Sequence, residues 1–428
     1  MAAAQDSASS AIPAHVPHEL VRPIGLTEGP EFLAAPHAFM AGLHDTHPPI
    51  FFSTSKHASN AWLLIKYEDV FFVLRHPEIF TTAGATPFPR DPNDYFYMIP
   101  LEIDPPHHRK YRAMIDPMIS PRTVAAMDSS IRALANQLID RFIDKGECEF
   151  TTDFGRPLPV SVFLGVMGLP QDMRDTFVGW AMGLLHAQDR KVAEVCMRET
   201  VAYLKEAIAE KKRTPDESVL SEIVHGKAAG EPLTPQEVFG FTFFLFIAGL
   251  DTVFATLNNV FVWFAQNPDR RREVLANPDN IDATVEELLR VFSVTFSGRT
   301  LTQDYEMRGV KFKKGDNLFP VNMRQKVVTG TSLHASEGKD FPTKTRKIGK
   351  HLPRVSLVCW KNQTCICLQT CKFMRFREVL TNGARRALCH DKLRDTPREP
   401  IGVCSPEAQS SHEFTPLVIS RGIYHVEP

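Results

Sequence analysis

The chain has 428 residues, 43% of them apolar and 23% charged, a globular composition that excludes a disordered or fibrous protein. A net charge of −1 and a pI near 7.0 give no electrostatic reason to expect a nucleic-acid partner. Eight cysteines without a secretory leader point to a reducing, cytoplasmic setting without structural disulfides.

In chain order, residues 1–22 open MAAAQDSASSAIPAHVP, with neither a basic nor an apolar leader region, and read as a disordered or wrapping arm. Residues 23–323 read mostly as helix punctuated by Pro and Gly, with a small β component at 62–65 and 310–314. The fold class expected is mainly α with small β-sheets. Ser120-Pro121 supplies an N-cap and a proline at the first helical position. The apolar-periodic run 122–145 follows and closes at Gly146. Residues 190–212 form an amphipathic helix.

The most informative helix begins at Thr234-Pro235-Gln236-Glu237, a capping box, and runs to Asn267-Pro268. That is roughly 32 residues, or about 48 Å at 1.5 Å per residue. It is apolar nearly all round, so it is either buried in a large protein or crosses a membrane. Asp251, Asn258 and Asn259 interrupt its centre, where a charge in lipid is costly, and the buried reading is preferred.

Within this helix lies Ala248-Gly249-Leu250-Asp251-Thr252. Gly249 allows a close approach to the backbone, and the Thr252 hydroxyl can bond back to the Ala248 carbonyl and open the helix. An acid beside an alcohol also makes a short proton relay, although a polar wrinkle with Asp251 paired to a cation fits the same five residues. Upstream, in Asp104-Pro105-Pro106-His107-His108-Arg109-Lys110-Tyr111-Arg112, His108 and Arg112 share a helical face and can grip one anion. Taken alone, a basic helix start is usually a solvated surface. Glu287 and Arg290 are placed for a salt bridge, and Arg299 offers a further cation on the extended segment 295–301.

The order and spacing of these motifs (DPPxHxxxR, the AGxDT helix, ExxR, then Arg299) resemble the cytochrome P450 family, in particular its soluble bacterial members that hydroxylate terpenoids such as camphor. The resemblance runs from Phe80-Thr81-Thr82-Ala83-Gly84 to Phe319-Pro320-Val321-Asn322-Met323. It implies an iron-containing haem b, with His108, Arg112 and Arg299 binding its propionates. It also implies that Gly249 borders the dioxygen site and that Asp251 with Thr252 delivers protons. Glu287 and Arg290 would be a structural pair, and Phe96, Tyr97, Phe244, Ile247 and Thr295 would line a pocket for a small apolar substrate. Electrons would come from NAD(P)H through a ferredoxin reductase and a ferredoxin docking at Arg109 and Lys110. The activity implied is an oxidoreductase, a monooxygenase using O2, with no membrane or nucleic-acid partner.

Residues 324–428 depart from that family. They carry 18 Lys+Arg against 9 Asp+Glu, where the preceding 323 residues carry 31 against 41, and they hold six of the eight cysteines. The family's F-x-x-G-x-x-x-C-x-G loop, whose thiolate ligates the iron, is missing, since no cysteine has a glycine four residues before it. Cys359 and Cys365 are weak substitutes, and the Cys-x5-Cys-x-Cys-x3-Cys spacing lacks the paired knuckles of a zinc site. A reading-frame disruption after Met323 accounts for the basic shift, the cysteines and the lost motif together; a divergent C-terminus is the alternative. The segment is expected to be irregular, and a haem-free relative acting as a scaffold or small-molecule binder is the rival function.

Overall fold

The computed structural model describes residues 12–25, 31–32, 35–54, 60–86, 95–187, 189–295 and 297–321, with two short strands at 418–420 and 423–425. The chain divides into two compact units, Met1–Ala113 with Lys227–Phe244 and Ser293–Ile366, and Met114–Gly226 with Leu245–Phe292 and Cys367–Pro428.

The first unit is built on a six-stranded mixed sheet, in the order Val21–Arg22, Ile50–Ser53, Ala61–Leu64, Asn317–Pro320, Arg299–Leu301, Phe80–Thr81. The period-2 alternation of a strand sends successive side chains to opposite faces. Phe52, Trp62, Leu64 and Leu318 enter one core with Val70, Phe80 and Phe312. Phe51, Leu63 and Val321 enter another with Met40 and Leu43. With both faces covered, IFFS and AWLL are apolar or small at every position and buried throughout. Trp62 meets Phe52 and Phe312 edge to face at 5.2 and 5.1 Å, and burial of each such ring contributes roughly 2–3 kcal/mol. The Trp62 Nε1–H donates to Asp316 Oδ2 at 2.9 Å, and His15 Nε2 lies 2.9 Å from the same oxygen. Val16 is buried in the sheet core, and Val21–Arg22 pairs in parallel with Phe52–Ser53, so residues 12–22 lie along the sheet.

The second unit is helical. Ser120 caps Pro121–Ala126 by accepting from Thr123 N. The single run expected over 122–145 is divided at Met127 into Pro121–Ala126 and Asp128–Asp140, then a 3-10 turn at Ile143–Lys145 closed by Gly146 at φ 74°. Neither Pro nor Gly marks those interior breaks, which is why periodicity alone ran through them. Pro157–Met167 is apolar all round and largely buried. Arg174–His186 and Arg190–Arg213 pack together through Phe177 and Tyr203, whose ring centroids lie 4.9 Å apart. Val418–Ser420 and Ile423–His425 form an antiparallel pair, and the first of them pairs with Cys148–Glu149. The segment expected to be irregular therefore contains regular structure at 418–420 and 423–425. Cys359 and Cys365 lie outside the described residues.

The long apolar stretch forms two helices, Pro235–Leu250 and Thr252–Gln266, with Asp251 at the break. The capping box is formed reciprocally. Glu237 N donates to Thr234 Oγ1 at 3.2 Å and Thr234 N to Glu237 Oε2 at 2.8 Å. By length and composition the stretch could cross a membrane, but 78% of its most apolar window is buried within the protein, as in a core helix.

Candidate functional site

In the first unit, the helix His107–Ile115 starts from a fixed anchor. Asp104 Oδ1 accepts from Thr82 N and Thr82 Oγ1 at 3.1 and 2.9 Å, and Oδ2 accepts from Thr81 Oγ1. These bonds hold the helix start against the Phe80–Thr81 strand. A second attachment is at Glu237, which accepts from Tyr111 Oη and lies 3.6 Å from Lys110 Nζ. The capping-box glutamate thus serves two elements. Arg109 stays exposed, while Lys110 is drawn towards Glu237.

His108 is buried. Burial, then the positive charge of Arg112, lower its pKa to about 4 against an opposing pull from Asp104. At neutral pH it is therefore an uncharged hydrogen-bonding group beside a half-buried guanidinium. Arg299, on the strand Arg299–Leu301, is 2% exposed, and its Nη1 donates to Gly298 O at 2.6 Å. A guanidinium remains charged wherever it is placed, so its burial favours an anionic neighbour.

The four expected pocket residues in this unit have different surroundings. Phe96 is buried edge-on against Phe239 and Phe243 at 4.7 and 4.9 Å, two rings that sequence reading did not select. Tyr97 is 43% exposed and meets Tyr95 edge to face, and its carbonyl lies against Gly240, where a Cβ would come within 2.1 Å. Phe244 is buried and Thr295 half-buried. Ile247, in the second unit, is also buried.

In the second unit, Thr252 Oγ1 donates to Ala248 O at 2.9 Å, the back-bond expected from the sequence. Asp251 sits at φ −112° and ψ −49°, between the two helices. Its carboxylate is mostly buried, and Oδ2 lies 3.3 Å from Nε2 of His186, the last residue of Arg174–His186. No local sequence signal could have singled out this histidine, 65 positions away. The close approach that Gly249 permits is made by the Phe163 ring, since a Cβ there would fall 2.2–2.7 Å from three ring carbons. Glu287 and Arg290 form a bidentate pair on Ile281–Val291, at 2.7 Å from Nε and 2.5 Å from Nη2. Its hydrogen bonds raise the Arg290 pKa against the opposing effect of burial.

Among known proteins, the family model described as Cytochrome P450 matches residues 171–323. A probable cytochrome P450 127A1 of Sinorhizobium fredii (strain NBRC 101917 / NGR234) is 36% identical over 313 residues, covering 71% of this chain and 75% of that protein. A biotin biosynthesis cytochrome P450 of Bacillus subtilis (strain 168) is 27% identical, covering 68% and 76%. Among solved structures, CYP101J2 has a TM-score of 0.62 at 27% identity, covering 72% of this chain and 77% of its own. P450BioI, solved in complex with an acyl carrier protein ligated to hexadec-9Z-enoic acid, has a TM-score of 0.68 at 24% identity, covering 83% and 92%, and shares the fold. With these matches, the chain belongs to the cytochrome P450 family, whose members are monooxygenases.

Proposed function

We propose that this fold, where its ligand loop is intact, serves a haem-thiolate monooxygenase that hydroxylates a small apolar, terpenoid-like molecule in the cytoplasm, with electrons passing from NAD(P)H through a ferredoxin reductase and a ferredoxin. The observation that carries this reading is the break at Asp251–Thr252, an acid and an alcohol set in an otherwise apolar helix. The buried Phe96, Phe244 and Ile247 suit an apolar substrate bound by shape, with Tyr97 and Thr295 able to offer one hydroxyl each.

Haem, when bound, supplies the activation of dioxygen for insertion of one oxygen atom into a C–H bond. In this reading Arg112 and Arg299, both charged, and His108, a buried hydrogen-bonding group, would hold its carboxylate edge. They do not fit its iron side. Burial pushes the Cys148 thiol up to about 12, and burial with the Glu199 charge raises that of Cys196, so neither is held as a thiolate. The glycine–cysteine spacing of the ligand loop is absent from the whole sequence. In this reading Asp251 relays protons, the Thr252 hydroxyl stands next to it in the sequence, and Gly249 borders the oxygen site through its backbone, with Phe163 filling the direction of its missing Cβ.

The missing spacing favours a second reading, a haem-free relative that binds small apolar molecules. One experiment separates the two. The chain is expressed with a haem precursor and given ferredoxin, its reductase, NAD(P)H and labelled dioxygen, with a panel of terpenoids and fatty acids. Product bearing one labelled oxygen marks the monooxygenase. Micromolar binding of the same panel by calorimetry without product marks the haem-free relative, and neither outcome overturns both.

A further inference from the structure

Glu102, a buried acid of the first unit, sits in a turn just before the Asp104 anchor and is 1% exposed. Its two oxygens reach two separate points of the chain. Oε2 accepts from Met98 N, four positions earlier, at 2.8 Å, and Oε1 accepts from Thr86 Oγ1, sixteen positions earlier. Glu102 N in turn donates to Met98 O at 2.9 Å, so one residue engages both backbone groups of Met98. Phe96 and Tyr97 come directly before it. On the other side, Ile99 N donates to Gly240 O at 3.4 Å, and the Tyr97 carbonyl lies against Gly240. The backbone at 97–99 is thus fixed between Gly240 and Glu102, with the Phe96 ring set against Phe239 and Phe243. Burying a carboxyl is costly, and an apolar side chain could fill the same volume at less cost. What the acid contributes here is its two acceptors.

We propose that Glu102 is a positioning residue that fixes the backbone at 96–98 and so preforms the pocket wall carrying Phe96 and Tyr97. The inference rests on the reading above that these two side chains face an apolar substrate, and it names the residue that holds them in place. Edge-to-face ring packing tolerates small rotations, whereas the paired backbone bonds at Met98 set where the Phe96 ring and the Tyr97 hydroxyl begin. A substrate held by shape binds more tightly to a wall already formed, because ordering the wall on binding subtracts from affinity. The helix His107–Ile115 has its own anchor, since Asp104 accepts from Thr81 and Thr82. Loss of the Glu102 acceptors therefore loosens the wall and leaves the helix start in place.

The test compares Glu102→Leu, which keeps bulk without acceptors, with Glu102→Gln, whose amide can accept from Met98 N and donate to Thr86 Oγ1. On the purified full chain, hydrogen exchange is followed at the Met98 amide and, for reference, in the buried strand Ala61–Leu64. Camphor binding is measured by calorimetry on the same samples. Leucine is expected to speed Met98 exchange about tenfold and weaken camphor binding about tenfold, with the strand unchanged. Glutamine should stay within about twofold of the unsubstituted chain in both readouts. Unchanged Met98 exchange in a folded Glu102→Leu protein overturns the proposal, and so does an equal rise in the strand, which marks general destabilisation. Faster Met98 exchange with unchanged camphor affinity overturns the link to substrate. If Glu102→Leu fails to fold, Thr86→Val, which removes one of the two donors, takes its place with an expected rise of about threefold, and no rise overturns the proposal. Failure of the unsubstituted chain to bind camphor counts against the pocket reading, while Met98 exchange still decides whether Glu102 holds the wall.

Discussion

Two threonines of the central stretch make the same local bond with different outcomes. Thr242 Oγ1 donates to Val238 O at 2.8 Å and Thr252 Oγ1 to Ala248 O at 2.9 Å. The helix passes through Thr242 without interruption, and it is broken one residue before Thr252. Thr256 repeats the bond, to Thr252 O at 2.8 Å, and the helix continues there too. A hydroxyl bonded to the carbonyl four residues back therefore does not by itself open a helix here. The second region differs in its neighbours. Gly249 lets Phe163 press against the backbone, and Asp251 is held from outside by His186. The break is a tertiary product, made where a glycine and a paired acid lie within three residues of each other.

Two glycines offer the strongest way to break that contrast. Gly240 meets a backbone carbonyl, that of Tyr97, and Gly249 meets the side chain of Phe163. Gly240→Ala is expected to cost about 3 kcal/mol of unfolding free energy, and Gly249→Ala about 1–2 kcal/mol, after the gain in helix propensity from alanine. Denaturant unfolding of both variants checks the order. A larger loss at Gly249 would mean that Phe163 cannot move aside.

The next largest effect concerns pH, and it separates His108 from an ordinary surface histidine. Its pKa of about 4 in the folded chain lies below the usual 6.5, so the unfolded chain takes up the proton first as pH falls. Stability from this site is full above pH 6.5 and declines towards pH 4. The slope of stability against pH in that window should be shallower in His108→Gln, measured by thermal unfolding. A slope unchanged by the substitution would show that His108 is not held neutral by burial and Arg112.

The smallest stability effect falls on the threonines themselves. Thr242→Ala should lose about 1 kcal/mol, the usual worth of a buried hydroxyl hydrogen bond, and Thr252→Ala less, because its turn is already open. Function should reverse that order. In a version carrying an intact ligand loop, Thr252→Ala should keep substrate binding yet lower product per NAD(P)H consumed about tenfold, while Thr242→Ala leaves that ratio unchanged. Equal coupling in the two variants would remove Thr252 from proton delivery.

Local rules made much of this molecule legible. The capping box at Thr234 and Glu237, the Ser120 cap, the closing Gly146 and the back-bond at Thr252 are all encoded within four residues of where they act. What could not be read is non-local. His186 meets Asp251 only because two helices pack, Phe163 meets Gly249 for the same reason, and Val418–Ser420 finds Cys148–Glu149 across 270 positions. The membrane question was decided in the same way, by burial of an apolar helix that its own sequence left ambiguous.

The chain carries the DPPxHxxxR and AGxDT motifs of its family, with a helix break at the second, and lacks the loop that ligates iron. The direct test adds haemin to the purified protein, reduces it, saturates it with carbon monoxide and records the absorbance spectrum. No red-shifted thiolate band is expected, because no cysteine in the sequence follows a glycine at the required spacing. A clean thiolate band that disappears in Cys365→Ala or Cys359→Ala would contradict the claim and make that cysteine the iron ligand.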